Sequence, residues 1–147
     1  MAEQSATTGD LDRVLGDLRA LSEDIESCAV LSGDRELISS SHTSAVERER
    51  VAALLAALMN LSDRAAHDNG KDHASQLRID TEEGHLLLVR LDGGGVLAAT
   101  TGSEARVGLV LYDMRNVRKE IERILGYGED DSGDGGSEMG GPGERRQ

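Results

Sequence analysis

The chain has no Trp, no Phe and only two Tyr among its 147 residues. Its core must therefore be aliphatic, and the stacking platform that single-stranded nucleic acid requires is hard to build. Basic charge is also scarce: 16 Lys and Arg stand against 28 Asp and Glu, for a formal charge of −12. Such a surface repels phosphate backbones and anionic lipid headgroups, which argues against nucleic acid and against direct membrane insertion. A single cysteine, Cys28, excludes an internal disulfide. The first ten residues, M-A-E-Q-S-A-T-T-G-D, hold neither a basic region nor an apolar run, so no signal peptide is expected and the predicted compartment is the cytoplasm. Long apolar runs are missing too. The longest, Val51–Leu61, is far short of the roughly 20 residues that span a bilayer.

That run, V-A-A-L-L-A-A-L-M-N-L, is what the chain does have in excess. A helix apolar around most of its circumference needs cover on more than one side. The stripe Val51, Leu54, Leu58, Leu61 and Ala65 is expected to face the chain's own core. The small flank Ala53, Ala56, Ala57 and Asn60 is read as a subunit interface, with a central helix buried inside one fold as the alternative.

The rest of the chain is legible in order. Residues 1–9 read as a flexible leader, residues 10–126 as one domain, and residues 127–147, rich in Gly, Ser and acid, as a disordered tail. Leu11, Val14, Leu15, Leu18 and Leu21 have helical spacing and predict a first helix over about Leu11–Ser22. Cys28–Leu31, the turn Ser32–Arg35 and Glu36–Ser40 read as a hairpin. The second helix starts with a solvated turn, Glu47 to Arg50, and ends near Ala66. In Gln76–Thr81 polar and apolar residues alternate, the pattern of an edge strand with one wet face at Gln76, Arg78 and Asp80. His85–Leu91, almost continuously apolar, reads as a strand covered on both faces, joined through Asp92-Gly93-Gly94 to a last strand, Gly95–Thr101. A third helix is predicted over about Ser103–Leu125, with Thr101 and Glu104 as a capping box and Gly126 as its stop.

None of the reactive side chains assembles into a recognisable centre. Cys28 has no basic sequence neighbour and reads as a buried structural thiol. His42, His67, His73 and His85 are scattered without the spacing of zinc ligands. The acids from Glu129 to Asp134 lack the pattern of a calcium loop, and Gly93-Gly94-Gly95 lacks the Lys-Ser or Lys-Thr of a phosphate loop. No enzyme, metal or cofactor is expected, and a binding or regulatory module is.

The order helix, two strands, helix, three strands, helix resembles the Roadblock family, the group of dynein light chain Roadblock and the bacterial Ras-like GTPase regulators. The resembling stretches are C-A-V-L-S-G-D-R-E-L-I-S-S-S at 28–41, the apolar helix at 51–61, H-L-L-L-V-R-L-D-G-G-G-V-L-A-A-T-T at 85–101 and A-R-V-G-L-V-L-Y-D-M-R-N-V-R-K-E-I-E-R-I-L at 105–125. The resemblance implies an α+β fold: a five-stranded antiparallel sheet with the long second helix on one face and the terminal helices on the other. It also implies a homodimer joined along the second helix and third strand, and a role in binding a small Ras-like GTPase without a catalytic residue of its own. Ala-, Gly- and Arg-rich usage suits an actinobacterial source. Near the expected dimer seam the polar residues Glu47, Arg48 and Arg50 are the expected GTPase contacts. The competing reading is a profilin-like or PAS-like module that encloses a small ligand.

Overall fold

A computed structural model describes residues 2–41 and 44–127. Its elements are α1 (Ala2–Leu21), β1 (Ile25–Leu31), β2 (Leu37–Ser40), α2 (Ala45–Asp68), β3 (Gln76–Asp80), β4 (Gly84–Arg90), β5 (Val96–Gly102) and α3 (Val107–Leu125). The strands form one antiparallel sheet in the order β2-β1-β5-β4-β3. α1 and α3 pack together on one face and α2 lies on the other. The expected α+β architecture, with five antiparallel strands between one helix and two, is the one observed.

Strand alternation divides the core in two. In β5, Leu97 and Ala99 point to α1 and α3, where they meet Leu11, Leu18, Val30, Leu87, Met114 and Ile121. Val96 and Ala98 point the other way, to α2. On that face Ala29 pairs with Ala98, and Ala98 with Leu88. Two alanines side by side make a shallow trough, and Leu55 and Met59 of α2, one turn apart, are buried over it.

α1 starts at Ala2 and not near Leu11, so residues 2–9 continue the helix. Leu21, placed on its core stripe by spacing, is exposed, because the helix ends there. α3 starts at Val107, later than expected, and the capping box does not form: Thr101 is a buried residue of β5. The approach to α3 is held instead by Asp24, whose carboxylate accepts the Arg106 backbone N–H at 2.9 Å and its Nε–H at 3.1 Å. These contacts keep the Asp24 carboxyl below its usual range, the backbone N–H contributing most. Gly126 does stop α3, at φ 86°, with the Tyr127 N–H donating to the Glu122 carbonyl.

Tyr127 is part of the domain and not the first residue of a loose tail. Its hydroxyl accepts the Gly33 N–H at 2.8 Å, and its ring lies against Gly93, where a Cβ would sit 2.7 Å from ring carbons. The β1–β2 and β4–β5 turns thus share one aromatic clasp. Gly93, at φ 85°, is suited to the position by its backbone as well as by space. The remainder of the expected tail, residues 128–147, and His42 lie outside the described residues.

Candidate protein-interaction surface

The phase of α2 is set by the trough beneath it. Because Leu55 and Met59 are the α2 residues buried on this face of the sheet, with Ala52 and Ala56 packed beside them, the residues a third of a turn away rotate outward. Leu54 is 51% exposed and Leu61 66% exposed, and Ala65 is exposed as well. The expected core stripe is therefore wrong in phase: Val51 and Leu58 flank the contact, and Leu54, Leu61 and Ala65 face solvent. Periodicity could not decide this, since nearly every position in the run is apolar and the phase depends on which sheet residues are small.

Of the flank read as an interface, Ala53, Ala57 and Asn60 are exposed, whereas Ala56 is half-buried against the sheet. Asn60 is engaged within the chain, its Oδ1 accepting from Arg35 Nη2 at 3.0 Å. The outer face of α2 is thus a row of aliphatic residues, Leu54, Ala57 and Leu61, extended by Val46 at the helix start.

β3 is at the sheet edge, as its alternation predicted. Gln76, Arg78 and Asp80 are exposed, but they point to the α1 and α3 side: Gln76 accepts from Arg115 Nη1 at 3.1 Å, and Asp80 pairs in the ladder with His85. The two expected halves of the interface therefore carry their side chains on opposite faces of the sheet. The backbone edge of β3 is by itself a template for another strand. Arg78 Nε and His85 Nδ1 meet the same Asp80 oxygen at 2.9 and 2.7 Å, and these hydrogen bonds, Arg78's first, hold its carboxyl below the usual range.

At the start of α2, Ser44 caps the helix by accepting the Glu47 N–H at 3.1 Å. Arg48 is half-buried and donates from Nη2 to the Leu37 carbonyl at 3.1 Å, so part of its role is to tie α2 to β2. Glu47 and Arg50 are exposed beside it.

Sequence reading missed the clamp that fixes the other end of α2. Arg90 donates from Nη2 to Asp63 and from Nε to the Ala74 carbonyl at 2.6 Å, while Asp63 also accepts the Ala74 N–H at 3.0 Å. Burial alone would raise the Asp63 pKa. The hydrogen bonds from Arg90 and Ala74 and the charges of Arg90 and His73 outweigh burial and lower it. A signal existed: Arg90 follows Leu86 and Leu88 on the face under α2, where a cation needs a partner.

Between α2 and the sheet lies a crevice of about 90 Å³ bordered by Ala29, Val51, Leu54, Leu55, Leu86 and Ala98. Small-molecule sites are several times larger, roughly 300–1,000 Å³. Cys28 is buried, and burial pushes its thiol up against a smaller opposing effect of Arg19. Among the described residues no three His, Cys, Asp or Glu side chains group to hold a metal, and no helix is long and apolar enough to cross a membrane.

A domain description, Roadblock/LC7, matches residues 11–101. The chain is similar to a Roadblock/LC7 domain from Streptomyces avermitilis at 30% identity and a TM-score of 0.60, covering 76% of this chain and 97% of that one. A second S. avermitilis Roadblock/LC7 structure aligns at 23% identity and a TM-score of 0.70, over 78% and 96%. Myxococcus xanthus MglB shares the fold at 17% identity and a TM-score of 0.67, over 82% and 95%. No curated protein sequence matches. With the matched region spanning most of the domain and the sheet and helices in the expected layers, the chain belongs to the Roadblock/LC7 family.

Proposed function

We propose that this protein is a non-enzymatic homodimeric regulator or scaffold that binds a small Ras-like GTPase and modulates its hydrolysis of GTP or its localisation. The observation that carries the reading is the aliphatic row Leu54, Ala57 and Leu61 on α2, next to a sheet whose β3 edge is open. Burying exposed apolar area is favourable by about 25 cal/mol per Å², and a second copy offers the same row by two-fold symmetry. Membership of the Roadblock/LC7 family supports the GTPase as partner. The small crevice under α2 disfavours the sensor that encloses a ligand.

Arg50 is the cleaner probe of the partner contact, because Arg48 also supports the fold through the Leu37 carbonyl. The experiment is single-turnover GTP hydrolysis by a small GTPase encoded nearby, at saturating regulator. Arg50→Ala is expected to weaken binding, with hydrolysis in the saturated complex falling less than about tenfold. A loss approaching the roughly 10³–10⁵ of an arginine finger would overturn the indirect mechanism. Absence of both binding and any effect on hydrolysis would overturn the GTPase reading itself.

A further inference from the structure

The outward row of α3 runs Leu109, Tyr112, Arg115, Lys119, Arg123, and all five are exposed. In a chain with 28 acidic residues against 16 basic ones, the second half of this row holds three cations and no acid. The acids that flank it on the helix are turned inward. Glu122 is buried, paired with Arg118 at 3.3 Å and accepting the Asp92 N–H at 2.7 Å, and Glu120 is half-buried. Among the described residues no carboxylate pairs with Arg115, Lys119 or Arg123. Arg115 Nη1 donates to Gln76 Oε1 at 3.1 Å, a neutral acceptor that leaves its charge uncompensated. The first half of the row is apolar, with Leu109 46% and Tyr112 56% exposed.

One of the chain's two aromatic side chains thus stands in solvent beside arginines, and Tyr and Arg are the side chains that the centres of protein interfaces favour. The cations recur every four residues, about 6 Å along the helix axis. Carboxylates at every fourth position of a facing helix repeat at the same interval. A second copy fits this row poorly, because two-fold pairing along it would set Arg115, Lys119 and Arg123 against the same three cations. An anionic membrane fits poorly as well, since a formal charge of −12 opposes the approach of the chain as a whole.

We propose that the outer face of α3 is a docking site for an acidic amphipathic helix of a partner protein, its carboxylates along Arg115, Lys119 and Arg123 and its apolar end over Tyr112 and Leu109. Exposed ion pairs contribute little individually, so the charges set the orientation of the partner helix and the apolar end holds it. α2 lies on the other face of the sheet, which leaves it free while this site is occupied. The inference does not depend on the GTPase reading.

The probe is a synthetic helical peptide with Glu at every fourth position followed by two Leu on the same face, titrated into isotopically labelled full-length protein. Amide shifts are expected within residues 108–123, with affinity falling about tenfold or more as the screening length is cut from about 10 Å at 0.1 M salt to about 3 Å at 1 M. The triple change Arg115→Glu, Lys119→Glu, Arg123→Glu should abolish binding while amides of β1 and β5 keep their positions. It should also create binding to the same peptide made with Lys in place of Glu. Exchanging the peptide's Leu for Ser should weaken binding to the wild-type chain. Shifts centred on α2, binding that survives the triple change, or equal affinity for the Ser peptide would overturn the proposal. So would silent α3 amides at millimolar peptide combined with sedimentation of the wild-type chain, but not the triple variant, on phosphatidylserine vesicles, which would assign the row to a membrane.

Discussion

The two faces of the sheet are finished to different degrees. On one, α1 and α3 close over an aliphatic core in which Leu11, Val30, Leu87, Leu97, Met114 and Ile121 are fully buried. On the other, a single helix buries Leu55 and Met59 and leaves Leu54 and Leu61 in solvent. Both faces of the sheet carry a buried aliphatic cluster, and they differ in how many helices cover them. Two helices complete a layer within the chain. One helix with apolar residues all round leaves a surface that another molecule can complete.

Breaking the closed face should cost most. Met114→Ala leaves a cavity in the sealed core, and a loss of about 2–5 kcal/mol is expected, measured by chemical denaturation at a fixed protein concentration.

The open face depends more on polar ties. Asp63→Asn weakens the clamp to Arg90 and Ala74, with an expected loss of about 1–3 kcal/mol at neutral pH. The sign of its pH dependence follows from the lowered folded-state pKa of Asp63. The stabilisation is fully present above the unfolded carboxyl value of about 3.9 and disappears as pH falls through the folded value. The gap between wild type and Asp63→Asn should therefore be widest at neutral pH and narrow below about pH 4, as denaturation series at several pH values would show. A gap that widens in acid would contradict the clamp.

The smallest effect concerns the clasp that joins the turns at one end of both layers. Tyr127→Phe removes the hydrogen bond to Gly33 and keeps the ring on Gly93, with an expected cost of about 0.5–1.5 kcal/mol in thermal or chemical unfolding.

Much of this fold was legible because its signals are local. The alternation of Gln76–Thr81, the continuous run His85–Leu91 and the stop at Gly126 each report their own element, and each agrees with the structure. What failed depended on contacts distant in sequence. The phase of α2 is decided by Ala29 and Ala98, the start of α3 is held by Asp24, and the role of Tyr127 by turns at Gly33 and Gly93. Of the residues read as an interface, Ala53, Ala57 and Asn60 are exposed in the chain and Ala56 packs inward, while Leu54 and Leu61, assigned to the core, are exposed.

The central claim is that the open face of α2 is completed by a second copy of the chain. Light scattering on the full-length protein at tens of micromolar tests it most directly, with Ala57→Glu alongside. The account predicts a wild-type mass of twice the 15.6 kDa chain and a single-chain mass for Ala57→Glu. A wild-type mass of 15.6 kDa, or a dimer unaffected by a charge at position 57, would contradict it.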